Sequence, residues 1–218
     1  MTNLWLLTSA VNTDMGVFSA DERLAHTMVT IDSIRRHDTN ARVAIVEMGK
    51  PLNTEQQAVL QMLSDDYIDF TEESEQTRNQ YGLTNTLMTV NELVFLQKAL
   101  ARLVDDTVEH VFKLSGRYHL TADFKLSNHK CDKVVLLERK PSWIEGESMY
   151  MSRLFSWPRQ LTETLVNTLE QSYNYISSGN QGDIENMLFK FLPQEHVLEI
   201  PKLGVHGRIH GTGNPNWD

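Results

Sequence analysis

Short continuous apolar runs alternate along the chain with amphipathic stretches, and this alternation restricts the fold more than any other feature. LWLLTSA (4–10) and RVAIVEM (42–48) have the pattern of strands buried on both faces. YIDF (67–70), VEHVFKL (108–114) and KVVLLER (133–139) read as further strands. Between the first two, Ser19 and Glu22 form a capping-box pattern, followed to about His37 by Leu24, Met28, Ile31 and Ile34 at helical spacing. Residues 53–64 predict a second helix capped by Asn53 or Thr54. A long helix over 85–104 carries Leu87, Val90, Val94, Ala101 and Val104. Another, over 158–175, carries Leu161, Leu165, Leu169 and Tyr173 in one stripe, and Gly182 and Asp183 open the short helix IENMLFKFL. Residues 71–83 are polar and aperiodic and are expected to be a loop. Strands alternating with helices imply an α/β fold with a mostly parallel central sheet covered by helices on both faces. No repeat or Pro/Gly-rich linker divides the sequence, so 1–218 is expected to be a single domain.

The net charge of −9 argues against a nucleic-acid-binding surface, which needs a basic face to neutralise phosphates. A small phosphate ligand needs only a few local cations. The single cysteine, Cys131, cannot close an internal disulfide and is read as structural. The apolar run in MTNLWLLTSAV, about six residues, is far shorter than the roughly 20 residues that cross a bilayer, and no basic segment precedes it. No membrane span and a cytoplasmic location are expected.

Three segments concentrate ligand-binding chemistry. Thr8, Ser9 and Asn12 follow the first strand, where open α/β sheets bind ligands. Arg23 sits in the first turn of the next helix, whose free N–H groups favour an anion, and shares a polar stripe with Thr27 and Thr30. A capped surface stripe is the plainer reading there, since no glycine-rich phosphate loop is present. In FKLSGRYHLTADF (112–124), a strand runs into Ser115-Gly116-Arg117, with Lys113 and Arg117 as cations beside a glycine that permits close backbone approach; Asp123 follows. The segment LGVHGRIHGTGNPNW (203–217) holds Gly204, Gly207, Gly211 and Gly213, and is expected to be neither helix nor regular strand. In an extended conformation His206, Arg208 and His210 would point to one side, an arrangement suited to a diphosphate or to a metal bound to one. Val205, Ile209 and Trp217 are apolar residues that a disordered tail would not need. Asp183 and Glu185 open a helix, where they fit either a catalytic base or ordinary N-terminal acidity. Glu47 ends the second strand as an acceptor for hydroxyl groups.

On LWLLTSAV, VFKLSGRY, GDIEN and LGVHGRI, the chain resembles small GT-A-type glycosyltransferases of viral and bacterial sugar-transferase-like kinds. The resemblance implies binding of a nucleoside diphosphate sugar at the carboxyl ends of the first strands and transfer of the sugar to a glycan or other acceptor. It places Thr8, Ser9 and Glu47 near the nucleoside, and Arg23, Lys113, Arg117 and Arg208 at the diphosphate. Asn12, Ser115, Gly116, His206 and Gly207 complete the donor-binding set, and residues 203–218 close the site. Asp183 or Glu185 would act near the acceptor, as base if the reaction inverts configuration. His210-Gly211-Thr212-Gly213 before Asn214-Pro215-Asn216-Trp217 partly matches a His-x-x-Gly…Lys-Pro-Trp segment whose His ligates a divalent metal in some GT-A families; the Lys is missing. Where such proteins carry Asp-x-Asp, this chain has Ser115-Gly116-Arg117. Two arrangements therefore stand open. Lys113, Arg117 and Arg208 neutralise the diphosphate directly, or Asp123 with His206 or His210 holds Mn²⁺ or Mg²⁺. A non-catalytic module binding the same ligand is the alternative reading. A nucleotidyltransferase ranks third, because NTDMGVFSADER has a single glycine.

Overall fold

A computed structural model describes residues 2–209 and 212–217. In chain order the elements are β1 (Thr2–Ser9), α1 (Ala20–His37), β2 (Arg42–Glu47), α2 (Thr54–Leu63), β3 (Asp66–Asp69), α3 (Thr71–Tyr81), α4 (Asn85–Leu103), β4 (Val108–Ser115) and β5 (Tyr118–Leu120). They continue with β6 (Val134–Leu137), β7 (Lys140–Pro141), β8 (Ser148–Met149), β9 (Leu154–Pro158), α5 (Thr162–Ser177), α6 (Ile184–Phe191), β10 (Val197–Ile200), β11 (Val205–Arg208) and β12 (Pro215–Trp217). The main sheet has the order β10-β6-β9-β4-β1-β2-β3. Strands β3, β2, β1 and β4 are parallel, β9 runs antiparallel to both β4 and β6, and β10 is parallel to β6. The sheet is thus mostly parallel, as the alternation of elements implied.

Successive side chains of a strand face opposite ways, so each strand feeds two cores. Leu4, Leu6, Ala44, Val46 and Val111 pack with Val90, Leu93 and Leu96 of α4, Leu165 and Leu169 of α5, and Met187 of α6. Their neighbours Trp5, Leu7, Val43, Ile45 and Phe112 pack with Ile31 and Ile34 of α1, Leu60 of α2 and the β5–β11 ribbon. Trp5 stacks on Phe112 with ring centroids 4.2 Å apart and donates its indole N–H to Asp38 at 3.0 Å. The Ser19–Glu22 capping box closes the start of α1, and Asn53 caps α2. Among the described residues, no helix is long and apolar enough to cross a membrane.

Two expectations are corrected. Residues 71–81 are a helix, not a loop. Helix α3 docks through polar atoms rather than an apolar stripe: Ser74 Oγ donates to Met48 O at 2.7 Å, and Asn91 Nδ2 donates to Ser74 Oγ at 2.8 Å. The glycine-rich segment is regular strand in part, because β11 pairs antiparallel with β5 on one side and β12 on the other. Gly207 allows this close approach. A Cβ there would stand 2.4 Å from the Tyr118 ring and 2.5 Å from the Arg117 carbonyl.

Candidate functional site

Neighbouring parallel strands β1 and β4 end side by side, and a cleft of about 1000 Å³ opens over their carboxyl ends. Thr8 and Ser9 line it from β1, Ser115, Gly116 and Arg117 from β4, Arg23 from α1, and Asp183 and Glu185 from the start of α6. The turn after β4 is fixed from below. Gly116 N donates to Thr8 O at 3.0 Å, and Thr30 Oγ1 donates to Gly116 O at 3.2 Å and to Tyr118 O at 2.8 Å. Thr30 of the α1 polar stripe therefore holds the turn from outside the cleft lining, while Arg23 and Thr27 of the same stripe line the cleft. Arg117 projects from this turn with its Nε buried and without a hydrogen-bond partner. Burial holds its guanidinium below the usual value, while Tyr118, Glu92 and Glu185 act on it through space.

Arg23 lines the cleft but has a structural task. Its guanidinium donates to the carbonyls of Met15 at 2.8 Å, Phe18 at 3.3 Å and Ala10 at 3.4 Å, which ties down the loop after β1. Burial, then the neighbouring Arg117, lowers it to about 10. Glu185 accepts from Ser152 N at 3.2 Å and Ser152 Oγ at 3.3 Å, and burial pushes its carboxyl up. Asp183 is engaged at both oxygens. Oδ1 accepts from Asn186 N at 2.9 Å as the α6 cap, and Oδ2 accepts from the Trp143 indole at 2.8 Å.

Solved glycosyltransferases share this architecture at low sequence identity. The bifunctional glycosyltransferase WbbM aligns over 92% of this chain and 39% of its own, with a TM-score of 0.57 and 11% identity. The galactosyltransferase LgtC, solved in complex with donor and acceptor sugar analogs, aligns over 91% of this chain and 73% of its own, with a TM-score of 0.53 and 13% identity. The chain has a GT-A fold. A glycosyltransferase involved in glycosylation of the major capsid of PBCV-1 gives a TM-score of 0.50 at 9% identity, over 91% of this chain and 82% of its own. No protein-family profile and no curated protein matches the sequence.

Several residues expected at the donor site of this GT-A fold lie elsewhere. Lys113 is fully buried, ion-paired with Glu92, and donates to Ser152 O at 2.8 Å and Ser115 Oγ at 3.0 Å. It points into the core beside α4, so it cannot meet a diphosphate, and Glu92 reaches the cleft in its place. Asn12 turns away from the cleft to Pro51 O at 2.8 Å and Gln56 Oε1 at 3.0 Å. Glu47 lies under the floor, fully buried, its Oε1 accepting from Val11 N at 3.1 Å and Gly49 N at 3.0 Å. It joins the loops after β1 and β2 and is shielded from any nucleoside hydroxyl. His206, Gly207 and Arg208 form the β11 strand beside β5, outside the cleft lining. His206 packs edge-on against His119 with centroids 5.2 Å apart, and Arg208 lies near Glu22 and His26.

Ser115, Gly116 and Arg117 offer a hydroxyl and a cation, which do not fit a divalent ion. Asp123 is exposed and bound to Lys202 at 2.7 Å, away from the cleft, and His210 lies outside the described residues. Among the described residues, no group of three or more His, Cys, Asp or Glu gathers to hold a metal. Glu92 and Trp143 also line the cleft and are not among the residues expected from the sequence. Their signals were faint: one acid on the apolar helix α4, and one aromatic in the polar run ERKPSWIEGES.

Burial pushes the Glu47 carboxyl up to about 7 from an ordinary 4.5. An acid whose pKa is raised by folding holds its proton more tightly in the folded state. Its contribution to stability is therefore greatest below the unfolded value and is lost as pH rises towards 7. Across that window the loss is about 3 kcal/mol, at 1.36 kcal/mol per pKa unit. Glu47→Gln is expected to melt closer to wild type, or above it, at about pH 8 than at about pH 5. Thermal melts across that range check this, and a pH-independent difference between the two proteins would remove Glu47 as the titrating group.

Proposed function

We propose that the chain is a glycosyltransferase that takes its sugar from a nucleoside diphosphate sugar. Arg117 carries the reading, as a partly desolvated cation without a hydrogen-bond partner at Nε, in a cleft at the carboxyl ends of parallel strands. In a direct displacement, the bond from the sugar's anomeric carbon to the diphosphate breaks as the acceptor oxygen bonds to that carbon. Negative charge grows on the departing diphosphate, where Arg117 would offer its paired donors. The acceptor proton would pass to Glu185, whose raised basicity suits a base. Thr8 and Ser9 would meet the nucleoside end, and the Gly116 turn permits close approach by the phosphates.

A second reading, a GT-A module that binds the sugar nucleotide without transferring it, is favoured by Ser115-Gly116-Arg117 standing where carboxylates are usual. Thermal stability measured against a panel of nucleoside diphosphate sugars, with and without Mn²⁺, tests both. A ligand of the native state at a hundredfold excess over Kd stabilises by ~2.7 kcal/mol. A shift without Mn²⁺ is expected, and a shift only with Mn²⁺ would favour a metal over Arg117. Release of nucleoside diphosphate over hours would favour the enzyme over the module. No shift with any donor at millimolar concentration would sink both readings.

A further inference from the structure

Trp143 is a large aromatic that lines the cleft yet is 59% exposed. Its place is fixed. The indole N–H is held by Asp183 at 2.8 Å, and the neighbouring Ser142 is anchored by Asn186 through its hydroxyl and by Glu147 O through its N–H. A fixed indole with an open face is a preorganised apolar surface. Beside it the cleft wall runs through Asn180, Gln181 and Asp183, which present amides and a carboxylate and no Lys or Arg. Such a wall does not suit a phosphate. It does suit a neutral ligand with one apolar face and a hydroxyl-rich edge, which is the chemistry of a pyranose ring. Asp183 stands two residues before Glu185 at the start of α6, so the platform adjoins the carboxylate placed nearest the acceptor.

We infer that Trp143 is the stacking platform of a sugar acceptor subsite, with Asn180, Gln181 and Asp183 binding hydroxyl groups at the ring edge. The acceptor is thereby assigned to the carbohydrates; its role as acceptor rests on the glycosyltransferase reading, while the sugar subsite does not. The probes are maltose, cellobiose, lactose and diacetylchitobiose, titrated by saturation-transfer NMR against wild type, Trp143→Ala and Trp143→Phe. Wild type is expected to bind at least one of them saturably. Trp143→Ala should weaken that binding by roughly tenfold, while Trp143→Phe, which keeps a ring but loses the indole N–H, should stay within about threefold. All three proteins should keep the same thermal shift with the sugar nucleotide. Unchanged disaccharide binding in Trp143→Ala, or no binding by wild type at tens of millimolar, overturns the subsite. Loss of the sugar-nucleotide shift in wild type would instead overturn the transferase reading and leave the disaccharide result standing.

Discussion

Arg117→Ala is expected to lower sugar transfer by about 10²–10³-fold, the usual cost of removing one preorganised donor to developing charge. The apo protein should melt at or slightly above the wild-type temperature. Arg117 carries a buried Nε without a partner, and burial works against its charge. Its removal relieves a desolvated cation instead of breaking a bond. That combination, lost turnover with unchanged or improved stability, separates a binding role from a structural one. Arg117→Lys should recover only part of the activity, since a lysine keeps the charge but not the planar fork of donors. Steady-state rates and apo melts on the three proteins check this, and near-normal turnover in Arg117→Ala would remove it from the site.

The second large effect is expected at Lys113, and it is one of stability. Its ammonium is fully enclosed and held by Glu92, Ser152 O and Ser115 Oγ. Removing one partner of a fully buried pair costs about 3–5 kcal/mol, and less here, because the Glu92 carboxylate left behind is 21% exposed and opens on the cleft. Lys113→Met should lose up to about 3 kcal/mol in urea titrations. Adding Glu92→Leu should restore a large part of it, because the orphaned carboxylate goes with its partner. If the double variant is as unstable as the sum of the two single ones, Lys113 and Glu92 do not act as a pair.

What the sequence disclosed follows from how each element is stabilised. Strands β1, β2 and β4 were readable because they are short, largely apolar runs buried on both faces, and α1 because its cap and its period agree. Helix α3 was not, since its buried residues are Thr71 and Ser74 and its Phe70 cap makes no side-chain bond. Strand β9 was hidden because a run of five residues between Arg153 and Arg159 carries too little pattern. At the site, sequence position located the turn at Ser115-Gly116-Arg117. It could not show which cation faces the cleft, because Lys113 and Arg117 differ only in what stands opposite them. Lys113 meets Glu92 from a helix 21 residues earlier, and a tertiary contact of that kind leaves no local signature. Trp143 was overlooked for the same reason, its partner Asp183 lying 40 residues away.

The position of β9 has a consequence for how the protein is made. It lies between β4 and β6 although it follows both in the chain. During synthesis at roughly 5–20 residues per second, the apolar strand Val108–Ser115 emerges seconds before its antiparallel neighbour exists. Strand β6 likewise has no place in the sheet until Leu154–Pro158 arrives. A nascent chain thus passes through a stage with a bare, hydrophobic sheet edge, the kind of surface that pairs with a second chain. The interval between residues 115 and 154 is therefore when the growing polypeptide most needs shelter from its own copies.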